Sequence, residues 1–413
     1  MIYAVDAIMG TGKTSFGIQK LIELIKNKEK VIYITPYKNE IKRVIEECRK
    51  AGVSIKQPLA FKGRGKRDNL VNMMVKGENI IATHSCFDGL SKEYFHFIRN
   101  NNYILIMDEV HNVVQPLSLT KDDRDLLKSK FVIINEETNE VIWRFGENDY
   151  EGRFSDVKSL CDLGNIYYLS DKLCYWVFPC EVFKIMKDVY ILTYLFEGQI
   201  QSAYYKSCGI DYQLKSIINT NGKRGMEGKY ELVDYNPELE KEVIEKYKSL
   251  LNIYDGKMND YDSMTSYSSS YFERIKKNKP EVIKQIKKNI RNYFANIVKS
   301  NSPENMWTTL KTVEEDLKGK GYTKGFVEMT ARATNEFADK TTLAYIYNRY
   351  VNPCLITFFT KRGVELNQDL YAVSELLQWI FRSQIRKELP INIYIPSKRM
   401  RELLIKWANG DLY

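Results

Sequence analysis

The sequence has few of the residues that build metal clusters and lacks the long apolar runs that cross membranes. Its 413 residues include three histidines and seven cysteines, and no two cysteines form a C-x-x-C pair. This pattern argues against a zinc cluster and indicates a reduced, cytosolic protein. No apolar run approaches the roughly 18 residues of a membrane span. Residues 2–5, IYAV, read as a buried strand and not as the start of a signal peptide.

The composition is that of a soluble globular protein. Hydrophobic residues make up 44% and charged residues 28% of the chain, whose length allows two or three domains. The net charge is +9, and a basic surface attracts polyanions such as nucleic acid. A Lys-rich composition also arises from codon usage, so the charge alone does not establish a nucleic-acid partner.

Strand and helix patterns alternate along most of the chain, which predicts an α/β fold with parallel sheets covered by helices. We predict one lobe over 1–200, a variable, partly helical insertion or linker rich in Tyr and Lys over 201–302, and a second lobe over 303–413. The strands predicted for the second lobe are 306–309, 325–329, 343–347, 355–360 and 391–395, with a helix over 372–386.

The segment AIMGTGKT at 7–14 follows the first predicted strand and opens a helix, as a phosphate-binding P-loop does. Glycines let successive backbone N–H groups turn toward phosphate oxygens, and the helix N-terminus adds partial positive charge. We expect the Lys13 ammonium on the β- and γ-phosphates of ATP and the Thr14 hydroxyl on Mg²⁺. Ala7 stands where the usual pattern begins with glycine. The nucleotide-binding residues predicted in this segment are Gly10, Thr11, Gly12, Lys13, Thr14 and Ser15.

An acidic pair follows the aliphatic run at 103–107. Asp108 is predicted to hold Mg²⁺, a hard cation that prefers oxygen ligands, and Glu109 to orient or deprotonate the attacking water. Combined with a P-loop upstream, this pair indicates ATP hydrolysis and not binding alone. His111 has two open interpretations, because it either couples ATP to nucleic acid or caps the next helix.

These motifs resemble those of superfamily 2 helicases of the DEAD/DEAH type, in particular phage-encoded and origin-binding-protein-like members. AIMGTGKT at 7–14 and DEVH at 108–111 carry the resemblance. It implies two RecA-like P-loop lobes, ATP and Mg²⁺ as cofactors, and nucleic acid as partner. By the same resemblance, Pro36 and Thr83 contact the nucleic acid, and Thr193 couples hydrolysis to domain movement.

The segment QWIFRSQIR at 378–386 resembles motif VI, whose form is Q-x-x-G-R-x-x-R. Gln378 is then expected at the nucleotide, Phe381 replaces the glycine, and the last arginine comes one residue late. On a helix, Arg382 and Arg386 share a face. One of them would stabilise charge on the γ-phosphate in the transition state. We favour Arg386 for this role, with Arg382 as the alternative.

Two basic segments are candidates for contacts with nucleic-acid phosphates, and each can equally be plain solvated surface. One is the Gly-spaced loop at 61–67, and the other is 274–299, which has many lysines and few acids. The candidate contact residues of the loop are Lys62, Arg64, Lys66 and Arg67.

The sequence therefore predicts an ATP-dependent DNA helicase or translocase in phage or mobile-element replication or recombination. Because the P-loop begins at residue 7, an upstream glutamine motif has no room, which favours DNA over RNA. We expect a monomer, other replication proteins as further partners, and a location in the cytoplasm of a bacterium or a phage-infected host. Two alternatives stay open, a terminase-like DNA-packaging ATPase and an ATP-binding replication scaffold or switch that does not unwind.

Overall fold

A computed structural model of the chain describes residues 1–60, 65–145, 150–170, 173–259, 263–329 and 335–412. The chain folds into two compact units. The first unit comprises Met1–Ala7, Gly12–Tyr235 and Asn352–Leu366, and the second comprises Ile8–Thr11, Asn236–Val351 and Asn367–Tyr413. Of the helices in the described ranges, none is long and apolar enough to cross a membrane.

A seven-stranded sheet forms the centre of the first unit. The strands of this unit, in chain order, are β1 (Ile2–Asp6), β2 (Val31–Thr35), β3 (Ile80–Thr83), β4 (Ile104–Asp108), β5 (Val114–Pro116), β6 (Val132–Ile134), β7 (Val141–Trp143), β8 (Ile166–Ser170), β9 (Leu173–Val177), β10 (Asp188–Thr193), β11 (Gln213–Asn219) and β12 (Tyr230–Asp234). The order of the strands in the central sheet is β12-β11-β1-β10-β4-β2-β3. Its strands run parallel except β12, which is antiparallel to its neighbour. Strands β2 (VIYIT) and β4 (ILIMD) are buried at every position, and a parallel strand buried on both faces needs such an apolar run.

Helices cover both faces of this sheet. Alternate residues of its strands therefore belong to two separate apolar cores, one on each face. On one face, Gly17 allows a close approach, since a Cβ there would lie 2.5 Å from Leu192 Cδ1. The α-helices of the described chain are α1 (Lys13–Lys26), α2 (Lys38–Lys50), α3 (Lys66–Val75), α4 (His84–Phe87), α5 (Phe95–Asn100), α6 (Lys121–Leu126), α7 (Ser155–Asp162), α8 (Glu181–Ile185), α9 (Ile200–Ser207), α10 (Glu238–Lys248), α11 (Ser269–Asn278), α12 (Pro280–Asn292), α13 (Glu314–Leu317), α14 (Pro353–Thr360), α15 (Gln368–Ile380) and α16 (Lys398–Asn409).

A small insertion with its own core lies between β4 and β10. It contains the sheet β5-β9-β8, the hairpin β6-β7 and the helices α6 and α7. The apolar side chains of Leu127, Val132, Trp143, Phe154 and Ile166 pack together there. The sequence pattern, which treats 1–200 as one lobe, does not anticipate this insertion.

The second unit is built on a four-stranded parallel sheet. Its strands are β13 (Leu251–Ile253), β14 (Asn305–Thr308), β15 (Thr342–Tyr345) and β16 (Ile391–Tyr394), in the order β13-β16-β15-β14. Helices α11 and α12 contribute Phe272, Ile275, Ile286 and Ile290 to a core that also contains Trp307. The predicted α/β class with parallel sheets is therefore confirmed.

Residues 201–302 do not form the separate region that the sequence composition predicts. Strands β11 and β12 extend the first sheet, where Ile217 and Leu232 pack on its core, and β13 pairs with β16 in the second sheet. The backbone N–H and C=O groups of β11 and β12 are paired in the first sheet, and those of β13 in the second. The boundary between the two units therefore lies between β12 and β13, after Tyr235.

Two of the predicted strands are wrong. The run 355–360 lies in α14 of the first unit, because the Asn352 side chain caps the helix by accepting from Cys354 N–H and Pro353 fits its first position. The run 325–329 forms no strand beyond a single bridge between Phe326 and Trp307.

Candidate nucleotide site

The P-loop bends sharply after β1. Gly10 and Gly12 have φ values of 86° and 105°, in the left-handed region that favours glycine. Thr11 donates its N–H and its hydroxyl to the Ile8 carbonyl, at 3.4 and 2.7 Å. A Cβ on Gly12 would lie 2.3 Å from the Tyr230 ring, so glycine is required there both by conformation and by space. These features explain the glycine spacing of the motif.

Lys13 and Thr14 begin α1 directly after this bend. Lys13 is buried, and its Nζ donates to the carbonyl of Ala7, so the ammonium lies against the loop that precedes it. Ser15 is also buried on α1. The helix N-terminus therefore places a cation and a hydroxyl beside a backbone turn, as a phosphate site requires.

Asp108 ends β4, and its carboxylate faces the start of α1. Its Oδ1 accepts from the Thr14 hydroxyl at 3.1 Å. Burial raises the pKa of Asp108 to about 7, and the negative charges of Glu109 and Glu40 add to this, while Thr14 and Lys13 oppose it. A carboxylate that is so poorly solvated gains most from a cation placed next to it.

The oxygen set of Thr14 and Asp108 fits Mg²⁺, which prefers carboxylate, hydroxyl and phosphate oxygens. The two side chains lie 3.1 Å apart, and the buried carboxylate lacks a fully solvated environment for its charge. These two residues would hold the metal together with phosphate oxygens of the nucleotide.

Glu109 adopts an unusual backbone conformation at the end of β4. Its φ is 73°, a left-handed value that is costly for a residue with a Cβ. Its N–H donates to the Leu192 carbonyl at 3.0 Å, which holds it in place against the neighbouring strand β10. Strain of this kind concentrates at functional sites.

His111 and Thr193, the two predicted coupling residues, are both buried in the first unit. The His111 N–H donates to the side chain of Gln201 at 2.7 Å, and its Nε2 lies 2.8 Å from Asp88 Oδ1. The Thr193 carbonyl accepts from Ala7 N–H at 3.1 Å, next to the P-loop. Thr193 therefore lies beside the P-loop at the end of β10, whereas His111 contacts Asp88, Phe178 and Gln201.

The sequence motifs miss three residues of this site. Asp6 is buried at the end of β1 and accepts the N–H groups of Leu195 and Phe196 at 2.8 Å each. Burial raises its pKa to about 6, against the lowering effect of those two hydrogen bonds. Gln201 and Tyr230 come from segments that no motif identifies. For Asp6 a signal existed, because it is a carboxylate at the end of a buried strand directly before the P-loop.

Two of the predicted nucleic-acid residues, Pro36 and Thr83, lie at neighbouring ends of the paired strands β2 and β3, in which Thr35 is opposite Thr83. Pro36 follows β2 and Thr83 ends β3, so both lie at the carboxyl edge of the sheet, and both are half-buried. Lys66 and Arg67 begin α3, after Gly65. Lys62 and Arg64 lie outside the described residues.

The 378–386 segment does not form the continuous helix that the motif predicts. Helix α15 ends at Ile380, with Gln378 in its last turn. A short 3₁₀ helix, Gln384–Lys387, follows, and Ser383 is its N-cap. Arg382 is buried and donates to the carbonyls of Glu328 and Met329 at 3.0 and 3.2 Å. Arg386 is exposed. The prediction of one helical face shared by both arginines is therefore wrong.

Three protein-family models match segments of the chain. Residues 3–138 match the DEAD/DEAH box helicase family. Residues 114–176, which contain the insertion, match the YonV middle domain, and residues 245–408 match the YonV C-terminal Rossmann-like domain.

One curated protein and one solved structure are similar to this protein over its whole length. It is 36% identical over 421 residues to the SPbeta prophage-derived protein YonV of Bacillus subtilis strain 168, with 99% of each chain covered. A solved XPD helicase has a similar fold, with a TM-score of 0.50 at 13% identity, covering 100% of this chain and 95% of that one. The chain belongs to the YonV family and is a DEAD/DEAH-like protein of helicase superfamily 2.

Proposed function

We propose that the protein is an ATP-hydrolysing motor that moves on nucleic acid. The observation that carries this proposal is the contact of the Thr14 hydroxyl with Asp108, 3.1 Å apart, beside the buried ammonium of Lys13. A phosphate-binding loop alone would support nucleotide binding. A carboxylate in contact with the loop's hydroxyl, followed by the strained Glu109, supports hydrolysis.

Each of these residues has one task in the proposed reaction. Backbone N–H groups of the loop and the Lys13 ammonium bind the phosphates of ATP. Bound Mg²⁺ supplies positive charge to the phosphate oxygens when held by Thr14 and Asp108. Glu109 orients the attacking water and accepts its proton. Arg386 supplies the positive charge that stabilises the transition state.

The proposed track is DNA, and the proposed setting is replication or recombination of a phage or mobile element. The prophage origin stated for the relative YonV supports this setting. The excess of nine positive charges on the chain supports a polyanionic partner. Domain movement driven by ATP would then shift the chain along one strand, which it holds mainly through phosphates.

Steady-state ATP hydrolysis, measured with no nucleic acid and then with single-stranded DNA, duplex DNA or RNA, tests this proposal. We expect stimulation of kcat by DNA and weaker stimulation by RNA. Stimulation by RNA alone would move the track to RNA. Hydrolysis that responds to none of them would contradict a nucleic-acid motor. If DNA does stimulate hydrolysis, unwinding is tested next with a forked duplex.

Glu109→Gln separates a motor from an ATP-binding scaffold. We expect kcat to fall by roughly 100- to 1000-fold, because proton transfer from the attacking water is lost, while ATP still binds. The matched control is Glu23→Gln on the exposed face of α1. If the protein is a scaffold, the unmodified chain shows no ATP turnover and Glu109→Gln binds its partners as well as the unmodified chain does. Nucleotide binding is measured by fluorescent-nucleotide titration, and turnover by phosphate release.

A further inference from the structure

The charge of the chain is concentrated on one pair of helices in the second unit. Helices α11 and α12, with the residue between them, span 269–292 and contain eight lysines or arginines and two glutamates. They contribute +6 to a chain whose net charge is +9, so the other 389 residues together contribute +3. The basic character of this protein is therefore largely a local property.

The basic side chains of α12 lie on one face of the helix. Lys284, Lys287, Lys288 and Arg291 are spaced i, i+3, i+4 and i+7, and this set is called the α12 basic face below. Lys284, Lys288 and Arg291 are exposed, and Lys287 is half-buried. Along the helix axis the face extends over roughly 10 Å, from the rise of about 1.5 Å per residue.

The salt bridges of the described residues do not involve the α12 basic face. In the described part of the chain, none of its four side chains has a salt bridge, whereas exposed lysines of other helices pair with an acid one turn away, as Lys50 does with Glu47. Neighbours of like charge at i+3 and i+4 destabilise a helix. The face contains four such pairs, so a bound polyanion would relieve repulsion that the fold leaves in place.

The platform behind this face is rigid, because the apolar side of α12 is buried. Ile283, Ile286 and Ile290 belong to the core of the second unit, together with Phe272 and Ile275 of α11. Basic amphipathic helices bind membranes by inserting their apolar side into the bilayer interface. The apolar side of α12 is already buried in the core, so α12 cannot bind a membrane in this way. The exposed cations and the buried apolar side together favour a hydrophilic polyanion.

We propose that the α12 basic face, supported by α11, is a docking surface for the phosphate backbone of a nucleic acid. This rests on the proposed function, in which nucleic acid is the track, and it assigns part of the grip on that track to the second unit. Phosphates bind to lysine and arginine irrespective of sequence, so the surface positions the strand and does not read bases.

The test compares two triple variants with equal loss of charge. The test variant is Lys284→Gln, Lys287→Gln and Lys288→Gln. The control variant is Lys26→Gln, Lys28→Gln and Lys30→Gln, which removes three exposed lysines at the end of α1 in the first unit. Binding of labelled single-stranded and duplex DNA is measured by anisotropy without nucleotide, from low to moderate salt, and circular dichroism checks the fold.

We expect the test variant to bind at least about 10-fold more weakly at low salt. Its slope of log affinity against log salt should fall by about 2 for single strands and about 3 for duplex, since each lost phosphate contact removes about 0.7 or 0.9. The control should change affinity less than about 2-fold. Equal binding by the unmodified chain and the test variant, or an equal loss in the control, would overturn the proposal.

Two further arms separate the competing explanations. Vesicles rich in phosphatidylglycerol replace DNA in one arm, and binding to them that is as tight as DNA binding and is lost in the test variant would overturn the proposal in favour of a membrane surface. ATP hydrolysis without DNA is measured in the other. If the unmodified chain binds DNA through the α12 basic face but does not hydrolyse ATP, the motor proposal fails and this one stands. If it hydrolyses ATP and the test variant binds normally, only this one fails.

Discussion

The candidate nucleotide site of the first unit and the arginine segment of the second unit both resemble helicase motifs, but the structure confirms the predicted local geometry only in the first. In the first unit, Thr14 and Asp108 are 94 residues apart in sequence and in hydrogen-bond contact. In the second unit, Arg382 and Arg386 are four residues apart and are divided by the end of α15 and a new turn. Closeness in sequence did not give a shared face.

The difference arises because the two motifs depend on different local structures. The P-loop requires a strand, a bend with positive φ and a helix start, and glycines supply the bend. The arginine segment requires a helix to continue, and nothing in its local pattern fixes where that helix ends. Phe381 is buried after the last helical residue, and Ser383 begins the next turn by accepting from Ile385 N–H. Cap and burial decide the outcome there.

Lys13→Ala has the largest predicted effect and tests the P-loop side of this comparison. We expect kcat for ATP hydrolysis to fall below detection, at least about 1000-fold, because the buried ammonium beside the loop is removed. The fold should persist, as seen in an unchanged far-ultraviolet spectrum. Lys20→Ala, on the same helix, is the control and should keep normal turnover. Turnover retained in Lys13→Ala would sink the P-loop assignment.

Arg386→Ala tests whether the exposed arginine acts in catalysis. We expect nucleotide binding to persist while kcat falls on the order of 1000-fold, the effect of losing an arginine that stabilises the transition state. Lys387→Ala is the matched control, since this neighbour pairs with Asp339 at 2.6 Å. An unchanged kcat would move the catalytic role to Arg382 or to another residue.

Arg382→Ala sharpens the contrast between the two arginines by measuring stability. We expect a loss of about 2 to 3 kcal/mol in the free energy of unfolding, because two backbone carbonyls lose a charged donor in a buried place. Urea unfolding of this variant and of Arg386→Ala should differ by that amount. A stable Arg382→Ala that has lost turnover would show instead that Arg382 acts on the nucleotide.

Asp6→Asn tests the buried carboxyl next to the P-loop through pH. Burial raises the folded pKa of Asp6 to about 6, above its ordinary value of 3.8. Its contribution to stability is therefore fully present below pH 3.8 and is lost as pH rises through 6. The variant does not titrate, so the unmodified chain should lose roughly 2 kcal/mol relative to it between pH 4 and 7. Urea unfolding across this range checks the effect, and parallel curves would contradict it.

Local chemistry made the α/β class, the P-loop and the acidic pair predictable. The first strands are continuous apolar runs, glycines mark the bend at Gly10 and Gly12, and Asp108 ends a buried strand. Each of these signals lies within a few residues of the feature it predicts, and the parallel sheet brings the strand ends to one edge. The helix over 353–360 carried a local signal too, in Asn352 and Pro353, but its apolar run imitates a strand.

The rest was decided by contacts between residues far apart in sequence. Asp6 is placed by two N–H groups at 195 and 196, His111 by Gln201, and Arg382 by carbonyls more than 50 residues away. A sequence lists such groups but does not pair them, because burial and hydrogen-bond partners exist only after the chain has folded. The sequence by itself therefore determined the chemistry available at the nucleotide site. The tertiary structure alone decided which strands joined which sheet, where α15 ended and which arginine became part of the core.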